Sequence, residues 1–123
     1  MNGVDKDVVV KAVISKITEE STPTLIKVKD LNEFETPAVI KTSEQEGDGK
    51  FIPDIVVNYE KSTNLYEIEL EDGSQIEKWK VFADYAKENN GHLYIVTPDY
   101  LKDRIKKEIT DNDFNAGLIY FST

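Results

Sequence analysis

Ile52-Pro53-Asp54-Ile55-Val56-Val57-Asn58-Tyr59 and, after a short turn, Asn64-Leu65-Tyr66-Glu67-Ile68-Glu69-Leu70-Glu71 form the stretch whose reading decides the fold. The first segment, taken from Phe51 to Tyr59, is β-branched and aromatic, with Pro53 only near its start, where a strand tolerates a missing donor. The second alternates with period two, so Leu65, Glu67, Glu69 and Glu71 share one face while Tyr66, Ile68 and Leu70 share the other. A turn over Glu60 to Thr63, centred on Glu60 and Lys61, predicts an antiparallel hairpin. Its register sets Asp54 across from Glu67, with Glu69 one step along the same face.

Working outward, residues 5–20 place Val10, Val13, Ile14 and Ile17 at helical spacing behind Asp5 or Asp7 as N-cap, although β-branched residues lower helix propensity. Ser21-Thr22-Pro23 breaks that helix. Two short strands are then expected at 24–29 and 38–42, followed by a polar loop at Glu44-Gln45-Glu46-Gly47-Asp48-Gly49. On the other side of the hairpin, Ser74-Gln75-Ile76-Glu77 reads as a capping box. Ile76, Trp79, Phe82, Ala83 and Ala86 line one face of the helix it opens, and Asn89-Asn90-Gly91 supplies a left-handed stop. Leu93 to Thr97 is a buried strand, Thr97-Pro98 opens a helix carrying Leu101, Ile105 and Ile109, and Gly117 to Phe121 is a last strand. The order α-β-β-β-β-α-β-α-β predicts an α/β domain in which a mixed central β-sheet is flanked by helices.

The 123 residues fit a single domain, 1–123. The apolar share is 39%, unchanged when the 6 Gly replace the 6 Tyr in the count, and lies below the ~45–50% of typical domains, so the core is lean. Against 24 acidic residues stand 15 basic ones, a net charge of −9. Such a surface repels phosphate backbones and anionic membranes unless the cations gather on one face. With no Cys, disulfides, thiolate metal sites and Cys nucleophiles are excluded. Met1-Asn2-Gly3-Val4-Asp5 carries no signal-peptide pattern and no apolar run reaches membrane-span length, so no membrane partner and a cytoplasmic location are expected.

The chemistry centres on the hairpin. Like charges opposed across a sheet cost about 0.2–1 kcal/mol per exposed pair unless a cation sits between them. A divalent metal would relieve Asp54, Glu67 and Glu69, and Mg²⁺ commonly takes one or two carboxylates, several waters and a substrate phosphate. An edge strand wearing Glu on its wet face accounts for the same pattern without chemistry.

Ile52-Pro53-Asp54-Ile55-Val56-Val57, then Tyr66-Glu67-Ile68-Glu69, then a helix and the strand Leu93 to Thr97 resemble the PD-(D/E)XK, or restriction-endonuclease-like, nuclease superfamily over roughly residues 5–97. In that family a Pro-Asp strand is followed, about a dozen residues on, by Glu-x-Lys on its antiparallel partner, within an α-β-β-β-α-β core. The resemblance implies that core with a C-terminal α-β extension, and assigns Asp54 and Glu67 as Mg²⁺ (or Mn²⁺) ligands. Glu69 stands where the family usually carries Lys. It implies Glu69 as a further ligand or as a base for the attacking water, and Lys78, on the next helix, as a substitute cation. Gln75-x-x-x-Trp79 is similar to the Gln-x-x-x-Tyr motif of RecB-like members, and Glu19 or Glu20 would be the first-helix acid some members add.

The resulting expectation is an Mg²⁺-dependent endonuclease-like enzyme that hydrolyses DNA phosphodiester bonds with a metal-activated water. It would act as a homodimer or within a larger complex where both strands are cut. The alternative is a catalytically inactive module on the same fold, used for protein–protein association. His92 reads as a turn residue, Trp79 and Phe82 as core, and Lys102, Arg104, Lys106 and Lys107 as a solvated helix face. Gly47-x-Gly49 lacks the rest of any phosphate-loop motif.

Overall fold

A computed structural model describes residues 5–41, 50–71, 73 and 75–122. The expected loop at 44–49 and Ser74, the expected cap, lie outside the described residues. The first helix, α1 (Lys6–Glu20), starts where Asp5, extended at φ −77° and ψ 121°, accepts the Asp7 amide at 3.0 Å. It ends where both the amide and the hydroxyl of Ser21 turn back to the Ile17 carbonyl, each at 2.9 Å. Its β-branched residues are carried by packing: Val9, Val10 and Ile17 are buried.

Strand β1 (Leu25–Val28) leads to a small separate hairpin of β2 (Ile40–Lys41) and β3 (Lys50–Phe51). Then follow β4 (Ile55–Asn58), β5 (Thr63–Ile68), α2 (Ile76–Glu88), β6 (Leu93–Pro98), one 3₁₀ turn (Asp99–Leu101), α3 (Lys102–Asp111) and β7 (Gly117–Phe121). The main sheet is five-stranded and mixed, in the order β1-β4-β5-β6-β7. β1 pairs with β4 and β4 with β5 in antiparallel fashion, while β5 with β6 and β6 with β7 are parallel. The hairpin register expected from the sequence is the one observed, with Ile55 opposite Tyr66 and Val56 opposite Leu65.

Side-chain alternation on these strands divides the core in two. Val56, Leu65, Leu93 and Ile95 face α2 and α3, meeting Trp79, Phe82 and Ile105. Ile55, Val57, Tyr66, Ile68 and Val96 face α1. No described helix is long and apolar enough to cross a membrane.

One expectation is corrected and two are sharpened. The single strand from Phe51 to Tyr59 is two strands in different sheets, because Pro53 donates no hydrogen bond and the Asp54 amide goes to a side chain. Pro98 is both the last residue of β6 and, extended at φ −65° and ψ 155°, the N-cap of the 3₁₀ turn that leads into α3, so the expected helix opens one residue after it and its missing donor is harmless. The left-handed stop expected at Asn89-Asn90-Gly91 is observed, with Asn90 as its left-handed residue at φ 63°. The Asn90 amide donates to Lys87 O and the Gly91 amide to Ala86 O, the paired bonds of a Schellman ending.

Candidate functional site

The antiparallel ladder between β4 and β5 stops at Ile55 and Tyr66, one residue short of Asp54 and Glu67. Beyond that point side chains take over from backbone. The Asp54 amide donates to Glu67 Oε1 and the Ile68 amide donates to Asp54 Oδ2, both at 2.9 Å. The two acids thereby lock each other at the carboxyl-terminal end of β5, the end at which open α/β sheets bind ligands. Asp54 is 4% exposed and Glu67 is 2% exposed.

Strand alternation aims Glu67 toward α2, and the first turn of α2 answers with Lys78. Its Nζ lies 3.0 Å from Glu67 Oε2 and 3.6 Å from Glu69 Oε2. Glu69 Oε2 also accepts the indole N–H of the fully buried Trp79 at 3.0 Å. From the other face of the sheet, Lys6 Nζ reaches Asp54 Oδ1 at 2.8 Å. The structure thus brings together Asp54, Glu67, Glu69 and Lys78, all four expected site residues, and adds Lys6. Both lysines occupy first turns of helices, where the macrodipole disfavours positive charge, so local helix preference yields here to the carboxylates.

The charge count is uneven: three carboxylates face two ammonium groups, leaving one negative charge when all are ionised. Burial, and then the neighbouring charge of Asp54, push the Glu67 carboxyl up to about 7, with Lys78 and the Asp54 amide pulling the other way. Burial acts to lower Lys78, but Glu67 and Glu69 outweigh it and raise the ammonium above its ordinary value. Lys6 behaves likewise, its burial outweighed mainly by Asp54. Below about pH 7 a proton on Glu67 removes the excess negative charge.

Asp54 and Glu67 supply oxygen donors, and Mg²⁺ needs only one or two protein carboxylates. An ion on these oxygens would compete with the ammonium groups of Lys6 and Lys78. Among the described residues no group of three or more His, Cys, Asp or Glu forms a ready metal cage; Glu69 Oε2 is instead engaged by Trp79 and Lys78.

The remaining candidates fall elsewhere. Glu20 pairs with Lys16 at the far end of α1, roughly 20 Å of helix from Lys6, so neither Glu19 nor Glu20 joins the carboxylates. His92 stands at the entry of β6, its amide donating to Asn64 Oδ1, consistent with a turn residue. On α3, Arg104 pairs with Glu108 and Lys107 with Asp111, while Lys102 lies over the Tyr120 ring. That basic helix is largely neutralised by its own acids.

Two cavities bear on the site. The larger, about 740 Å³, lies between α1 and strands β6 and β7 and is apolar, lined by Val8, Val13, Tyr66, Val96, Ile119 and Phe121. It contains none of the clustered acids. The smaller, about 550 Å³, opens on Lys78 and is lined also by Lys29, Val39, Phe51, Ile52 and Gln75. Of these two, only the smaller shares a charged group, Lys78, with the carboxylate cluster. Lys6 escapes sequence reasoning because no spacing joins the start of α1 to Pro53-Asp54.

No protein-family model, curated protein or solved structure matches the chain.

Proposed function

We propose that the chain is a divalent-cation-dependent phosphodiesterase of the PD-(D/E)XK type that hydrolyses DNA. The observation that carries this reading is the position of Lys78, 3.0 Å from Glu67 and 3.6 Å from Glu69. A cation there stands in for the motif Lys that Glu69 replaces. Support comes also from the element order: with the β2–β3 hairpin set aside as an insertion, α1-β1-β4-β5-α2-β6 follows the α-β-β-β-α-β order of that family.

Asp54 and Glu67 would hold the ion. When bound, Mg²⁺ or Mn²⁺ supplies a water of lowered pKa and neutralises charge on the phosphoryl group. The chain's own residues do the rest. Lys78, held cationic by Glu67 and Glu69, faces the negative charge that builds on the phosphate oxygens. Glu69, fixed by the Trp79 indole, holds Lys78 in place. Glu67 competes for a proton up to about pH 7, so activity would rise with pH through that value. The described residues carry one such site, so cutting both strands would require two copies, and the expected setting is the cytoplasm.

A second reading has one observation in its favour. Both oxygens of Asp54 and both of Glu67 already have protein partners, as a silent module that associates with other proteins would require. Incubating the protein with supercoiled, linear and single-stranded DNA across Mg²⁺ and Mn²⁺, beside Glu67→Ala, separates the two. Cleavage by the wild type and none by the variant supports hydrolysis. Intact DNA under every condition favours the silent module, and cleavage retained by Glu67→Ala rejects this site.

A further inference from the structure

The cleft beside Lys78 has two unlike walls. Val39, Phe51 and Ile52 supply apolar surface; Lys29, Gln75 and Lys78 supply polar groups. Lys29 follows the last residue of β1, and its amide donates to the Asp54 carbonyl at 2.9 Å, so the backbone that carries it is tied to the carboxylate cluster. Lys78 is committed to Glu67 and Glu69, whereas among the described residues the side chains of Lys29 and Gln75 have no ion-pair or hydrogen-bond partner. Lys29 is half-buried and Gln75 exposed, so both side chains line the cleft with their polar ends free to meet an external anion. Gln75 is the N-cap of α2 and makes no side-chain cap bond, so the positive end of that helix faces the same cleft.

Size and wall chemistry narrow the anion. About 550 Å³ falls within the ~300–1,000 Å³ of small-ligand sites and would take one nucleotide, not a paired duplex. A cationic edge beside an apolar and aromatic wall is the pairing by which proteins hold unpaired nucleotides, phosphate on the cations and base on the rings. Resting on the hydrolase reading above, we propose that the cleft receives one unpaired nucleotide of single-stranded DNA. Lys29 holds its phosphate across from Lys78, and its base lies along Val39, Phe51 and Ile52. Lys29 is therefore a positioning residue for the strand and takes no part in breaking the bond.

The test measures binding apart from cleavage. Fluorescence anisotropy with a labelled oligothymidylate, and with a duplex of mixed sequence, is recorded in EDTA for the wild type, Lys29→Ala, Lys29→Arg and Lys29→Glu, over a range of salt. The expected result is tighter binding of the single strand than of the duplex. Lys29→Ala should bind several-fold more weakly, with a slope of log Kobs against log salt smaller by about 0.7. Lys29→Arg should restore the slope and Lys29→Glu should abolish binding. Unchanged affinity and slope in Lys29→Ala, equal affinity for duplex, or no single-strand binding by the wild type each overturn the proposal. Lys29-dependent binding without cleavage in Mg²⁺ or Mn²⁺ would uphold the cleft and remove the hydrolase reading. Cleavage that persists while Lys29→Ala binds normally would do the reverse.

Discussion

Asp54 and Glu67 replace the last rung of a β-ladder with a pair of reciprocal side-chain bonds: the amide beside each carboxylate's partner is satisfied by that carboxylate, at 2.9 Å in both directions. Two acids that would repel one another across a sheet are thereby pinned, and Lys6 and Lys78 are drawn in from opposite faces. The consequences can be measured with and without substrate.

Glu67 makes stability depend on pH. An unfolded chain releases this proton near 4.5, whereas the folded protein keeps it to about 7. Between those values the folded state binds more protons, so stability falls as pH rises through the window and the deficit is complete above it. Glu67→Gln removes the term. In metal-free buffer the melting temperature of the wild type relative to Glu67→Gln should drop between pH 4.5 and 7, by the equivalent of about 3 kcal/mol at most. Parallel curves for the two proteins across this range would contradict the placement of Glu67.

Lys78 should matter in proportion to the charge on Glu67. Lys78→Met leaves two carboxylates facing a buried gap and should cost about 3 kcal/mol in urea unfolding at pH 8. The cost should be smaller at pH 5 and smaller again in a Glu67→Gln background. A double-mutant cycle giving a coupling near zero at pH 8 would show that the 3.0 Å contact carries no energy.

Much of this arrangement was legible in the sequence, for a physical reason. Period-two alternation around a short turn leaves few registers, and the one that buries Leu65 and Val56 together also sets Asp54 beside Glu67. Lys78 comes only from the resemblance, as a cation on the first turn of the next helix that would stand in for the motif Lys. The break at Pro53 was not legible: a run of strand-forming residues conceals where an amide changes partner from backbone to side chain. Nor was Lys6, whose meeting with Asp54 depends on how α1 lies across the sheet. Trp79 read correctly as core, yet its N–H to Glu69 was invisible to a periodicity that records only the ring.

Gly91 should tolerate no side chain. A Cβ there would stand 1.8 Å from the Thr63 carbonyl oxygen, a backbone atom that cannot move without shifting β5. Gly91→Ala should lose about 3 kcal/mol in chemical denaturation. Asn90→Gly, one residue earlier at φ 63°, should change stability by no more than about 0.5 kcal/mol, because Gly accepts that conformation freely. A mild Gly91→Ala would mean that α2 and β5 are not joined this closely.

Trp79 offers an internal probe, being the only tryptophan and fully buried. Its emission should be blue-shifted in the native protein and move to the red on unfolding. Because its N–H meets Glu69 Oε2 at 3.0 Å, Glu69→Gln should alter the native emission intensity while leaving the unfolded spectrum unchanged. Identical native spectra would place the indole away from Glu69.

The most direct test of the carboxylate pair as a cation site is calorimetric titration of Mn²⁺ into the wild type and into Asp54→Asn, which keeps an acceptor for the Ile68 amide but loses the charge. One ion bound per wild-type chain, with proton release that diminishes above pH 7, and no binding to the variant is the predicted result. No heat of binding to the wild type, or equal binding to Asp54→Asn, would contradict it.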